Sequence, residues 1–244
     1  PHPIKRAILA ESGIDLLVAP AFDQALADMA PEEFIEDILG RRLSARGICV
    51  GFNFRFGRRR RGDAAMLSSF EGRLFEQVTV VPSLELDGVP ISSTRIREDI
   101  ICGDLTAAEA MLGRPHRLAG LVVHGEKRGR ILGFPTANLE ISNQPMPPVG
   151  IYGARVCFEP DFKEGIDSLM YIGSAPTFHP NGSNAPVRIE VFLMNWEGDL
   201  YGHDLYVEIL CHIRDDRVFD DPAQLAAQIE QDRKFFVDWL TAHR

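Results

Sequence analysis

The spacing of apolar residues changes its period near residue 113, and that change restricts the chain to a two-part fold. Before it, short apolar runs alternate with helical stripes. Asp15–Pro20, Gly47–Gly51 and Gln77–Val81 read as buried strands. Pro31 opens a helix at a position where its missing N–H costs nothing, and Phe34, Ile35, Ile38, Leu39 and Leu43 give that helix its apolar stripe. Further helices are expected over Ile4–Ser12, Gly62–Glu71 and Ser93–Cys102. Strands alternating with helices predict a parallel, doubly wound α/β domain over residues 1–113.

After residue 114, short β runs are separated by Gly, Pro, Asn and Asp. Strands are expected at Arg117–His124, Ile151–Phe158, Ser168–Ile172, Val187–Asn195 and Leu205–Ile213, with a turn at Glu197-Gly198-Asp199. In the fourth run Val187, Ile189, Val191 and Leu193 alternate with Arg188, Glu190, Phe192 and Met194, so one face carries a charged pair. Such a series predicts a small antiparallel barrel over residues 114–244. A closing helix is expected at Pro222–Ala242, with Leu225, Ile229, Phe236 and Leu240 facing the core.

At 244 residues, each half is large enough to bury a core without disulfides or metals. With 35 acidic against 26 basic residues, a net charge of -9 opposes a nucleic-acid partner, but a small phosphate pocket needs only local donors. The four cysteines are scattered and read as small buried thiols of a reduced protein. No signal peptide and no membrane-spanning apolar run is present, so the chain reads as cytoplasmic with no membrane partner.

The most informative segment is Gly125–Leu139, GEKRGRILGFPTANL. A loop rich in Gly and Arg can wrap phosphates with backbone N–H groups and guanidinium charge. Thr136 and Asn138, two apart, offer neutral oxygens to a hard cation. On chemistry alone the segment reads equally as a basic surface turn, and Glu190 as a cross-strand partner of an arginine.

The string Gly133–Asn138, GFPTAN, resembles the signature of riboflavin kinases. The likeness continues through Val149–Tyr152, Ile172–Phe178, Arg188–Leu193, Gly198–Gly202 and Arg214–Asp216 with Phe219, covering most of residues 114–244. It implies a six-stranded barrel that transfers phosphate from Mg²⁺–ATP to riboflavin. Carried over, Thr136 and Asn138 hold Mg²⁺ and ATP, while Arg130, Gly129 and Phe134 belong to the ATP site. Glu190 becomes the general base toward the 5′-hydroxyl, and Arg214 and Phe219 are candidate flavin contacts.

In the first half, Ile91–Arg97, ISSTRIR, places hydroxyls and arginines at a helix start, where free N–H groups favour a phosphate. Ser92 or Ser93 as a plain N-cap is the other reading. The string resembles a nucleotidyltransferase motif, and Val50–Gly57, VGFNFRFG, is similar to a segment of FAD synthetases. The resemblance is thus to the bacterial bifunctional riboflavin kinase/FAD synthetase family. It implies that Asn53 sits in an adenylyltransferase pocket and that Ser93, Thr94 and Arg97 hold ATP phosphates. The run Arg58–Arg61 reads as a solvated loop or as a steering patch for anionic substrates.

One departure stands out. The family's first strand and its G-x-F-D-G-x-H-x-G-H segment have no counterpart, and Pro1-His2-Pro3 resembles a piece that follows the second strand. This implies residues absent before Pro1, and between Pro3 and Ile4, leaving this chain deficient in adenylylation. The expected activity is phosphorylation of riboflavin to FMN and, when the protein is complete, adenylylation of FMN to FAD, both flavins arising as products. A monofunctional riboflavin kinase with a degenerate first domain and a non-enzymatic flavin-binding regulator are the alternatives. Oligomeric state carries no sequence signal.

Overall fold

Ile4 and Ile8, four apart and so on one face, explain the helix with which the chain starts, α1 (His2–Glu11). Ile4 is buried against Cys157, Phe162 and Tyr206. The structure is a computed structural model, describing residues 2–125, 129, 133–173, 188–219 and 221–243. The chain divides into two units, one of Val18–Ile91 and one joining the residues up to Leu17 to those from Ser92 onward.

Within Val18–Ile91, α2 (Gln24–Asp28) is capped by Asp23, and Pro31 occupies the first position of α3 (Pro31–Glu33). The helix continues as a π-helix over Phe34–Arg42, with Arg41 and Arg42 both bound to Asp37 at 2.8 Å. Strands β1 (Gly47–Gly51) and β4 (Gln77–Val81) pair in parallel, as their apolar runs predict. Between them β2 (Arg55–Phe56) and β3 (Gly62–Asp63) form a short antiparallel pair. Ile35, Phe56, Leu67 and Phe75 make the core of this unit. A hairpin of β5 (Glu85–Leu86) and β6 (Val89–Pro90) follows.

Three expectations need correction. Asp15–Pro20 forms no strand, and Leu16 is 76% exposed. An extended run becomes a strand only where a neighbouring edge accepts its hydrogen bonds, and this run pairs with none. The helix expected at Gly62–Glu71 shrinks to α4 (Ala64–Ser68), because Gly62 and Asp63 are taken by β3 and Asp63 caps the helix at Met66 N. Cys49 and Cys102 are exposed; burial holds for Cys157 and partly for Cys211.

The second unit continues with α5 (Ser93–Cys102) and α6 (Leu105–Leu112), each ending in a left-handed glycine, Gly103 and Gly113. Six strands then close into an antiparallel barrel: β7 (His116–Val123), β8 (Ala137–Glu140), β9 (Gly150–Cys157), β10 (Ile166–Gly173), β11 (Arg188–Leu193) and β12 (Asp204–Arg214). Their order around the barrel is β10-β11-β8-β7-β12-β9. The inward face of alternating residues fills the interior, including Leu118, Tyr152, Met170, Val191 and Val207. β12 serves two neighbours and shifts register after Ile209 and after His212, which lets so long a strand bend around the barrel.

The last helix, α7 (Pro222–Ala242), has Asp221 as N-cap and Pro222 at its start. Phe236 and Leu240 bury against Leu169 and Met194 on the outside of the barrel. Phe236 fits only because residue 153 is glycine: a Cβ there would overlap the ring.

Candidate active site

On β8 the motif alternates faces. Ala137 and Leu139 enter the barrel core, so Asn138 points outward. On β11 the same alternation buries Ile189, Val191 and Leu193 and turns Glu190 outward. Register then assembles the site. Asn138 lies opposite Glu190, Glu190 opposite Tyr171 of β10, Tyr171 opposite Ile151 of β9, and Ile151 opposite Arg214 of β12. Directly opposed residues project from the same face of a sheet. One outward row therefore carries Asn138, Glu190, Tyr171 and Arg214.

Thr136, just before β8, joins the row by donating its hydroxyl hydrogen bond to Glu190 Oε2 at 3.0 Å. Phe134 packs edge-on to Phe192 with centroids 5.4 Å apart, and its backbone N–H donates to the Gly129 carbonyl at 2.8 Å. Side chains are excluded around these groups. A Cβ at Gly125 would overlap the Asn138 amide, and one at Gly129 would overlap the Phe134 carbonyl. The result is a glycine-lined cradle beside three oxygen-bearing side chains, Thr136, Asn138 and Glu190. Arg130 lies outside the described residues, as do Ser174–Phe178 of the expected flavin-kinase segment.

At the other end of the row, Arg214 is fixed by a two-pronged ion pair. Its Nε lies 3.0 Å from Asp232 Oδ1 and its Nη2 2.9 Å from Oδ2, with side-chain exposures of 18% and 3%. Gln228, one helical turn earlier on α7, donates to the same carboxylate at 2.8 Å. Phe219 is buried beneath two guanidinium groups, those of Arg217 at 4.6 Å and Arg214 at 5.7 Å from its ring centroid. Asp232 and Gln228 escaped the sequence reading. Their signal is a carboxylate at residue 232, in register with Leu225, Ile229, Phe236 and Leu240 on the apolar stripe of the helix. Tyr171 was likewise missed, because a tyrosine in an apolar strand reads as core.

In the unit Val18–Ile91, Asn53 follows the C-terminal end of β1. Phe52 N–H donates to the Val81 carbonyl at 2.8 Å, joining the ends of the two parallel strands there, the usual place for a ligand in such sheets. Gly57 has φ +69 and lies against the Pro31 backbone, so no side chain is tolerated. Beyond it, Arg58 pairs with Asp28 at 3.7 Å. At the start of α5, Ser92 is the N-cap, accepting from Arg95 N at 3.2 Å. Ser93, Thr94 and Arg97 are exposed on its first turns, and Arg97 Nη2 donates to Thr94 Oγ1 at 3.5 Å. Asn53 and these residues belong to different units.

Among the described residues, no three His, Cys, Asp or Glu side chains gather to hold a metal ion. Nor is any helix there long and apolar enough to cross a membrane. A cavity of about 350 Å³ elsewhere on the barrel, lined by residues such as Ala119, Glu140, Asp204 and Tyr206, shares none of the row's side chains.

The barrel has a counterpart among known families: the riboflavin kinase family model matches residues 112–240. The FAD synthetase model matches residues 1–95. The bifunctional riboflavin kinase/FMN adenylyltransferase of Escherichia coli strain K12 is 34% identical over 236 residues, 95% of this chain and 74% of that one. This chain belongs to that bifunctional family. The Haemophilus influenzae relative of the same description is 35% identical over 92% of this chain and 71% of its own length. A solved Streptococcus pneumoniae structure, described as a macrolide-efflux protein, superposes with a TM-score of 0.78 at 31% identity, covering 97% of this chain and 75% of that one. Family membership accounts for both halves of the chain, and the riboflavin kinase match spans every strand of the outward row.

Proposed function

We infer that the protein is an ATP-dependent enzyme that phosphorylates riboflavin to FMN and, with its first domain complete, adenylylates FMN to FAD. The single observation that carries the kinase reading is the row in which Thr136, Asn138 and Glu190 meet, within the match to riboflavin kinase. We assign phosphorylation to residues 114–244 and adenylylation to residues 1–113.

In the kinase step, Glu190 accepts the proton of the riboflavin 5′-hydroxyl as that oxygen bonds to the γ-phosphorus of ATP. The bond from the γ-phosphorus to its bridging oxygen breaks, and ADP leaves. Phosphoryl transfer asks mainly for positioning and charge neutralisation, with a carboxylate to orient the nucleophile. The Thr136 hydroxyl, hydrogen-bonded to the carboxylate, holds its orientation. Thr136 and Asn138 present the oxygen donors that suit Mg²⁺, an ion that keeps few protein ligands and completes its shell with phosphate. When bound, Mg²⁺ supplies neutralisation of the phosphate charge. Gly129, Phe134 and Arg130 are assigned to the ATP side, and Arg214, with Phe219 packed beneath its guanidinium group, to the flavin side.

In the second step an FMN phosphate oxygen attacks the α-phosphorus of ATP, and pyrophosphate leaves. To this step we assign Ser93, Thr94 and Arg97 at the start of α5 for the phosphates and, in the other unit, Asn53 after β1. A cytoplasmic location fits the four free thiols and the dependence on ATP.

Incubation with riboflavin, ATP and Mg²⁺, followed by chromatography, tests the assignment. FMN followed by FAD is the expected result. FMN alone removes the adenylylation half, and neither product overturns the enzymatic reading.

A further inference from the structure

Tyr171 stands beside Glu190 in the outward row, one strand nearer Arg214. Its ring lies over Gly173, where a Cβ would overlap it, so the glycine two residues on opens the space it occupies. From there the hydroxyl donates to Asp216 Oδ2 at 2.9 Å. Asp216 belongs to the short connection between β12 and α7, and its other oxygen accepts from Arg217 N at 2.8 Å. The rest of this connection is anchored to other groups. Arg217 bonds to Gln228 of α7, and Phe219 is buried beneath the Arg217 and Arg214 guanidinium groups. Tyr171 thus ties this connection to the same β10–β11 register that carries the general base.

We propose that Tyr171 is a positioning residue for the flavin, holding the 215–219 connection through Asp216 so that the riboflavin site is already formed before substrate arrives. This inference rests on the kinase assignment above. A loop that must be ordered by its ligand subtracts that ordering cost from the binding energy, whereas a preformed loop does not. Glu190 takes its own position from β11 and from Thr136, so releasing the connection weakens riboflavin binding more than it slows phosphoryl transfer.

The test is Tyr171→Phe in the whole chain, which keeps the ring over Gly173 and removes only the hydroxyl. A hydrogen bond to a carboxylate carries enough free energy to shift an equilibrium by about tenfold. We expect the KM for riboflavin to rise roughly 5–10-fold while kcat changes less than about twofold and the KM for ATP holds. Asp216→Ala should reproduce this pattern, and the double variant should be no worse than either single one. An unchanged riboflavin KM in Tyr171→Phe, additive effects in the double variant, or an equal loss in kcat would each overturn the proposal. Wild-type protein that makes no FMN sinks the kinase reading instead. Riboflavin affinity measured by flavin fluorescence quenching separates the cases, since the positioning role predicts weaker binding whether or not turnover is seen.

Discussion

Replacing Glu190 by glutamine isolates the proton-accepting role from everything else the side chain does. Shape is preserved, and the amide oxygen can still accept the Thr136 hydroxyl, 3.0 Å away in the native side chain. What is lost is the basic oxygen and the charge assistance of that hydrogen bond, which is roughly twice as strong as a neutral one. The stability change is therefore about 1 kcal/mol at most. General-base catalysis is worth roughly 10²–10⁴ in rate, or about 3–5 kcal/mol of barrier. We expect kcat for FMN formation to fall by that factor, with riboflavin affinity held within about threefold. Single-turnover FMN formation with saturating ATP and Mg²⁺, set beside flavin fluorescence quenching, measures both. A kcat within tenfold of wild type, in a variant that binds riboflavin normally, would refute the assignment of Glu190 as the base. A parallel loss of affinity and turnover would make it a binding residue.

Asn138→Ala removes an outward oxygen from the row and should raise the KM for Mg²⁺–ATP about tenfold or more, with the riboflavin KM moving less than twofold; equal effects on both substrates would contradict its place on the ATP side. Asp232→Ala strands the Arg214 guanidinium beneath α7, and breaking such a pair costs about 3–5 kcal/mol. The melting temperature should fall by about 6 °C or more in calorimetry, and a smaller shift would mean that water replaces the carboxylate. Burial pushes the His116 imidazole below its ordinary range, the Arg114 guanidinium adds to that, and the bond to the Pro145 carbonyl at 2.9 Å opposes it. A base with a depressed folded pKa contributes stability that is complete above its unfolded value of about 6.5 and is lost as pH falls from there toward the folded value. Wild type should therefore lose more stability than His116→Gln between about pH 7 and pH 5, and parallel melting profiles would remove the effect.

The barrel was legible in the sequence because period-two alternation and burial agree, and the five strands read from residues 117–213 match within a few positions, as does the closing helix. The sixth, β8, was not legible by periodicity: only four residues pair, and Pro135 just before them argues against a strand. In the first half the helix of ISSTRIR was clear from its cap, but α6 was missed, since Leu105–Leu112 lacks a polar face long enough to show a period. The Asp87-Gly88 pair, both with positive φ, is a recognisable hairpin signal that explains β5 and β6. Asp15–Pro20 misled because apolar content reports the capacity to be a strand, while a strand also needs a partner edge. The π-helical winding of Phe34–Arg42 has no counterpart in composition at all, since a π turn differs from an α turn by one residue per hydrogen bond.

Site residues divide along the same line. Thr136 and Asn138 were visible because they are two apart on one segment, where alternation alone puts both on one face. Glu190 is 54 residues from Thr136, and only strand order brings them together: β8 is inserted between β7 and β11, so the motif faces the middle of β11. The same register bears on the plain reading of Glu190 as half of a surface ion pair. A cross-strand pair needs a cation directly opposite, and the residues opposite Glu190 are Asn138 and Tyr171. Arg188 lies on the same strand and faces Gly173. Neither position opposite the carboxylate carries a positive charge, while a hydroxyl orients it from the motif side. That arrangement leaves a carboxylate acceptor at the outer surface of the barrel, oriented by the Thr136 hydroxyl, which is what the proposed base role requires.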